Sequence, residues 1–304
     1  MKKVFKWLGI LSGTLLALLV LAVSGMYFAS EARLNRIYEI PTETVAIPTS
    51  ATELAYGKHI FQFRGCEACH GEKLEGKVYL SDPALGEVNA TNLTLGQGGV
   101  AVNYKTDADW IRAIRHGVRP SGKGLLFMPA YEFYFLSDAD LGAVIAYLKS
   151  VPPADHDQAP SQLSVTGRVA MTLIKEVVFI PAEIIPHNAQ RPTAPEPGPT
   201  AAYGEYLTYS CKVCHGIGMS GGKIPAFPAG WPSAANLTTS PDRYQPYFSE
   251  EGFVQIIRTG ITRHGRQIDS RYMPWTSYKF MSDAELKATW VYLQSLPPKA
   301  FGNR

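Results

Sequence analysis

Cys66-Glu67-Ala68-Cys69-His70 and Cys211-Lys212-Val213-Cys214-His215 are two copies of one pattern, C-x-x-C-H, and together they use all four cysteines of the 304-residue chain. On a helix, positions i, i+3 and i+4 share one face. Two thiols so placed can form thioethers to the two vinyl groups of one porphyrin, and the adjoining His then lies beneath its metal. This is the attachment signature of haem c. Its two copies predict two covalently bound haem c groups, one on Cys66 and Cys69 and one on Cys211 and Cys214, with His70 and His215 as iron ligands. Four cysteines can also make two disulfides, zinc sites or a redox dithiol. None of these requires a His directly after each second cysteine.

A low-spin haem iron needs a sixth ligand, commonly Met or His. Met128 in Phe127-Met128-Pro129 stands 58 residues after His70, and Met273 in Tyr272-Met273-Pro274 stands 58 residues after His215. The equal spacing singles these two out from methionines that merely fill a core, and each following Pro stiffens the loop behind the sulfur. Met219 follows His215 too closely to cross a porphyrin, and Met281 aligns with Leu136. His59, His116, His156, His187 and His264 have no counterpart His in the other half and read as surface or supporting residues, with His59 the nearest rival ligand.

The repetition extends well beyond the motifs. Tyr56-Gly57 matches Tyr203-Gly204, Asn92-Leu93-Thr94 matches Asn236-Leu237-Thr238, and Ile114-Arg115 with Gly117 matches Ile257-Arg258 with Gly260. Ser137-Asp138-Ala139 matches Ser282-Asp283-Ala284, and both copies end on Pro-Pro, at Pro152-Pro153 and Pro297-Pro298. The pattern predicts an all-α fold of two tandem domains, residues 51–153 and 201–304. Trp110, Ala113 and Ile114, repeated as Phe253, Ile256 and Ile257, form an apolar stripe at helical spacing. Ser137 with Asp140 and Ser282 with Glu285 read as capping boxes opening a last helix, which must stop before the Pro-Pro pair. The stretch between His70 and Trp110 reads as loop. Gly57 and Gly204 are either points of close approach to the last helix, with Tyr147 or Tyr292 packing over them, or loop glycines before a shorter helix. The paired Arg115 and Arg258, and the paired Asn92 and Asn236, are candidate donors to haem propionates.

Residues 1–30 differ in kind. Lys2, Lys3 and Lys6 precede an uncharged run from Trp7 to Ser30, long enough to cross a bilayer and longer than the apolar core of a cleaved signal. The expectation is a single-pass transmembrane helix, followed by a spacer over 31–50, in a bacterial cytoplasmic membrane with the haem domains in the periplasm. The segment 154–200 is Pro-rich at both ends and reads as a linker. Its apolar middle, Val169 to Ile185, is too short and too charged for a second span, and reads as an amphipathic helix either between the domains or on the membrane. The net charge of +3 is accounted for by the three N-terminal lysines, so there is no basic footprint for nucleic acid.

Each half resembles a class I cytochrome c domain, and the pattern is similar to that of the cytochrome c subunit of membrane-bound alcohol and gluconate dehydrogenases. The residues that carry the resemblance are Cys66, Cys69 and His70, Asn92-Leu93-Thr94, Trp110 with Ile114-Arg115 and Gly117, Met128-Pro129, and the helix from Leu136-Ser137-Asp138 to Tyr147-Leu148, most of them repeated in the second half. Such subunits generally carry three haem motifs; this chain has two. The resemblance implies an electron-transfer protein rather than an enzyme. Its partners would be redox proteins: a dehydrogenase, a quinol-oxidising complex, a terminal oxidase or another cytochrome. A dihaem peroxidase is the enzyme alternative, and it needs one iron with an open or releasable sixth position. A haem-based sensor would need an output domain. A Met at matching spacing in both halves speaks for the carrier.

Overall fold

The computed structural model describes residues 2–190, 193–224, 230–240 and 249–304. The N-terminal helix α1 (Lys2–Leu34) is apolar over a window of mean hydropathy 2.2, none of it buried against the rest of the chain. Among the described residues it is the one helix long and apolar enough to cross a membrane. The first half then runs through α2 (Ala51–Phe63), α3 (Cys66–His70), β1 (Lys77–Asp82), β2 (Gly86–Ala90), α4 (Asp107–His116), α5 (Ala130–Phe133) and α6 (Asp138–Ser150). The connecting segment contributes β3 (Gln162–Leu163) and α7 (Val165–Leu173). The second half follows with α8 (Ala201–Leu207), α9 (Cys211–His215), α10 (Glu250–Thr259), α11 (Trp275–Tyr278) and α12 (Asp283–Ser295).

The two halves repeat one packing motif, the crossing of the first helix with the last. At Gly57 an added Cβ would lie 2.0 Å from the carbonyl oxygen of Ala143, and at Gly204 2.0 Å from that of Ala288. Only glycine lets α2 meet α6, and α8 meet α12, backbone to backbone. Tyr147 and Tyr292 lie over these contacts. The glycines are therefore points of close approach inside helices, which outweighs the ~0.5–1 kcal/mol a helical Gly costs relative to Ala. The expected stripes are buried as well: Trp110, Ala113 and Ile114 in α4, and Phe253, Ile256 and Ile257 in α10. Each of these helices ends on a left-handed glycine, Gly117 at φ 66° and Gly260 at φ 69°. One apolar core runs through both halves.

Three expectations are corrected. The fold is helix-rich rather than all-α: β1 and β2 form an antiparallel hairpin within the stretch read as loop, and β3 extends it to a three-stranded sheet. Asp82 closes the hairpin by accepting from the amides of Ala84 and Leu85 at 2.8 and 2.9 Å, an Asx turn around Pro83. The apolar segment Val169 to Ile185 is not one helix. Helix α7 stops at Leu173, and the chain is irregular up to a short 3₁₀ turn at Pro181–Glu183, as Pro181 and the restricted residue before it require. The capping box at Ser282 and Glu285 is present, but at Ser137 only half of it forms. Ser137 accepts from the Asp140 amide at 3.1 Å, whereas the Asp140 carboxylate turns away and accepts from two tyrosines.

Candidate haem sites

Each C-x-x-C-H motif occupies a one-turn helix, α3 or α9, placed against the wall of its own cavity. The first cavity, of about 400 Å³, is lined by Cys66, Cys69, His70 and Met128. The second, of about 730 Å³, is lined by Cys211, Cys214, His215 and Met273. The structure thus brings each motif together with the methionine 58 residues downstream. The walls are otherwise mainly apolar, as an uncharged porphyrin face demands. Met219 is fully buried in the wall of the second cavity and Met281 belongs to the core, in line with their reading as packing residues.

Backbone carbonyls orient the two histidines. His70 Nδ1 lies 2.9 Å from the Thr91 carbonyl oxygen, and His215 Nδ1 lies 2.7 Å from that of Ala235. A carbonyl only accepts, so each Nδ1 carries the proton and each Nε2 keeps its lone pair for a metal. Burial lowers both imidazole pKa values, partly offset by these hydrogen bonds, and favours the neutral ligand form. The thiols are unpaired. Burial pushes Cys66 and Cys211 up to about 12 and Cys214 to about 11, and raises Cys69. A redox dithiol needs the opposite, a stabilised thiolate. Among the described residues no three His, Cys, Asp or Glu side chains converge as a metal-binding group, so the zinc reading finds no third ligand. Two cysteines, a carbonyl-oriented imidazole and a thioether around one apolar cavity fit covalent haem c.

The loops behind the methionines are built alike. The amide of Ala130 donates to the Met128 carbonyl at 2.7 Å, and that of Trp275 to the Met273 carbonyl at 2.8 Å, across the intervening proline. Phe127 sits at φ 58°, a left-handed conformation uncommon for an aromatic residue. Its amide donates to the Phe179 carbonyl at 2.9 Å, so the connecting segment holds the first methionine loop in place.

The reading of Asn92, Asn236, Arg115 and Arg258 as propionate partners is corrected, since none of them lines a cavity. Asn92 Nδ2 donates to the Ala154 carbonyl at 2.7 Å, and its Oδ1 accepts from Thr94. Asn236 repeats this, donating to the Lys299 carbonyl at 2.8 Å and accepting from Thr238. Both stitch the loop after the motif to the chain leaving the last helix. Arg115 is fully buried and its Nη groups bond Glu43, the Leu136 carbonyl and Asp138 at 2.7–2.8 Å. Arg258 holds the carbonyls of Lys279 and Met281 and the Asp283 carboxylate at 2.6 Å. His59, the rival ligand, bonds Glu285 of the other half at 2.8 Å.

Several wall residues carry no motif signal. The hairpin supplies Tyr79 and Val88 to the first cavity, and the connecting segment supplies Val177 and Val178. Arg64, 8% exposed, lines the first cavity, donates through Nη1 to the Leu207 carbonyl at 3.0 Å and leaves its Nε without a partner. Glu132, Val213 and Cys214 line both cavities. The two sites therefore share a wall, and at that wall burial lifts the Glu132 carboxyl to about 7, against the opposing pull of Arg64. Glu132 has no acidic counterpart, because Ser277 stands at its place in the second half.

Comparison with known proteins agrees with this geometry. The cytochrome c family model matches residues 54–152 and 201–297, more than half of the chain. The fructose dehydrogenase cytochrome subunit of Gluconobacter japonicus is 25% identical over 282 residues, covering 86% of this chain and 56% of that protein. The alcohol dehydrogenase (quinone) cytochrome c subunit of Gluconobacter oxydans (strain 621H) is 28% identical over 271 residues, covering 79% and 54%. The gluconate 2-dehydrogenase cytochrome c subunit of Pantoea cypripedii is 29% identical over 277 residues, covering 80% and 59%. The chain spans about half the length of these relatives. With two matched regions, each holding a C-x-x-C-H motif, the chain belongs to the cytochrome c family, whose covalent haem c makes it an electron-transfer protein rather than a catalytic one.

Proposed function

We propose that the chain is a membrane-anchored, two-haem electron carrier that works as the cytochrome subunit beside a substrate-oxidising dehydrogenase. One haem would be held by Cys66 and Cys69 with His70 and Met128 as axial ligands, and the other by Cys211 and Cys214 with His215 and Met273. Haem c supplies one-electron iron chemistry. The chain supplies everything else: two thioether-forming thiols per site, a carbonyl-fixed imidazole tautomer, a stiff loop presenting a thioether, and apolar walls that keep water out.

The observation that carries this reading is the shared wall. Two cavities of the same construction, each closed by a Met, meet at Glu132, Val213 and Cys214. A carrier needs adjacent redox sites, both closed to reagents. A peroxidase needs one site built differently, with an iron position that opens and an acid–base group beside it. The relatives' names support a dehydrogenase as donor. Helix α1 supports a single-pass anchor in a bacterial cytoplasmic membrane, with the domains 51–153 and 201–304 on the periplasmic side and a respiratory acceptor downstream.

Purified protein should contain two haems per chain that resist extraction by acidic acetone, and the fully reduced and half-reduced forms should leave hydrogen peroxide unconsumed. Steady peroxide turnover by either form overturns the carrier reading, and one haem per chain overturns the two-site assignment.

A further inference from the structure

The connecting segment sits against the top of α1, at a depth the hydrogen bonds fix. Helix α7 runs antiparallel to it. Near its start, Arg168 donates to Ser30 Oγ at 3.3 Å and to Glu31 Oε2 at 2.6 Å, with its guanidinium 4.4 Å from the Tyr27 ring centroid. One turn later, Thr172 Oγ1 donates to the Met26 carbonyl at 3.3 Å. From Arg168 to Thr172, α7 therefore descends along α1 toward its N-terminus.

The bilayer boundary can be placed on the same helix. The uncharged run Trp7 to Ser30 has 24 residues, about 36 Å of helix at 1.5 Å per residue. A hydrocarbon core of about 30 Å centred on that run ends near Phe28. Tyr27 and Arg168 then sit at the interface, where an aromatic ring and a snorkelling cation belong. Met26, and with it Thr172, lies on the lipid side of the boundary.

The next two residues are Leu173 and Ile174, 65% and 43% exposed. The chain turns back at the exposed Lys175 and Glu176, whose charges stop the loop at headgroup level. It returns as Val177 and Val178 in the wall of the first cavity. We propose that Leu173 and Ile174 are a second membrane contact, seated in the outer-leaflet boundary of a phospholipid bilayer, which holds the first haem cavity against the membrane surface. The proposal rests on the reading of α1 as an anchor. Lipid is the occupant because the two side chains stand beside the span and below its boundary, where a bilayer containing α1 leaves nothing else to cover them.

The test uses the full-length, haem-loaded protein in vesicles of phosphatidylcholine and phosphatidylglycerol. Three variants, Leu173→Cys, Val165→Cys and Leu18→Cys, each receive one nitroxide, and power saturation compares access of oxygen with access of a water-soluble nickel chelate. Val165 opens α7, about 12 Å higher than Leu173 by helical rise, and is 55% exposed. Leu18 lies mid-anchor. Oxygen should prevail at Leu18 and Leu173, and the chelate at Val165, so that the logarithm of the ratio changes sign between Val165 and Leu173. If Leu18 is lipidic while Leu173 matches Val165, the second contact is overturned and the anchor stands. If Leu18 is itself open to the chelate, the anchor reading fails and the second contact falls with it.

Discussion

Tyr206 in the first helix of the second half donates its phenol proton to Asp140 in the last helix of the first half. The mirror contact is made by His59, the residue at the matching place in α2, which bonds Glu285, the residue matching Asp140, at 2.8 Å. The duplicated halves are thus joined by one contact used twice, as in an isologous dimer, with both partners diverged in sequence. Burial first, and then the Asp140 charge, hold the Tyr206 phenol protonated, so the direction of donation is fixed. Its oxygen also accepts from the Ser137 amide at 3.0 Å. Tyr206→Phe therefore strands a buried carboxylate oxygen and a buried amide together. The expected loss is about 2–3 kcal/mol, read from denaturant unfolding of the holoprotein, with the visible spectrum unchanged.

The mirror contact responds to acid. Burial pushes Glu285 up, but bonds from His59 and from the Ser282 amide outweigh it and leave the carboxyl below its ordinary value. A depressed carboxyl contributes stability that is fully present above the unfolded pKa, about 4.3, and is lost as pH falls through the folded pKa. Wild-type unfolding free energy should fall as the pH drops below that range, and Glu285→Gln should flatten this part of the profile. Equal acid sensitivity in the two proteins would mean that Glu285 is not a stabilising ion.

The helix crossings allow no side chain. Gly57→Ala and Gly204→Ala each press a methyl group onto a helix carbonyl, and no rotamer change relieves a backbone clash. Each should lower stability by about 1–3 kcal/mol or more through overpacking. Ala exceeds Gly in helix propensity, so a stabilised variant would show that the crossing is looser than the 2.0 Å approach implies. Chemical unfolding of the two variants decides.

What the sequence made legible was whatever it repeated. The motifs, the Met-Pro loops, the crossing glycines and the last-helix caps occur twice, and each lies where its duplication placed it. Features present once were hidden. The hairpin β1–β2 has short strands with partly exposed faces, so no alternation marked it. Glu132 and Arg64 matter only because the halves meet there, a relation no local pattern encodes. Asn92, Asn236, Arg115 and Arg258 failed in the opposite way. Their repetition was real, but it came from loop stitching and helix closure, which a duplicated fold conserves as faithfully as a cofactor contact. Val177 and Val178 belong to the linker by composition and to the first cavity by packing.

Glu132 couples the shared wall to pH. Burial lifts its carboxyl to about 7, so over the range from its unfolded pKa to about 7 the native state keeps a proton that the unfolded chain has lost. This contribution to stability is full below the unfolded pKa and is lost as pH rises through the folded one. The same ionisation places a negative charge between the two sites, which favours ferric over ferrous iron. Both midpoint potentials should fall as pH rises through about 7, by tens of millivolts for a charge at this kind of distance in a partly buried setting. Glu132→Gln should abolish the slope and leave the potentials near their low-pH values. Redox titrations of wild type and variant at pH 6 and pH 8 test it, and an unchanged slope would exclude Glu132 as its source.

Met128 and Met273 provide the sharpest test of the ligand assignment, because the two loops are alike and the cavities are not. Removing either thioether should leave the haem attached, since Cys66, Cys69 and His70, or Cys211, Cys214 and His215, are untouched. It should free one coordination position on one iron. Met128→Ala and Met273→Ala should each bind carbon monoxide at one ferrous haem per chain, which wild type does not, and the double variant at two. Thioether loss also lowers the potential of the altered site, so the two singles assign the two waves of the wild-type titration. The wall around Met128 is held by the Phe127 amide on Phe179, whereas Tyr272 of the second loop donates its amide to Asp269 within the loop, at 3.0 Å. Carbon monoxide should therefore enter more slowly at the first site, a difference flash photolysis can measure. If neither single variant binds the gas, the sixth ligand is some other residue.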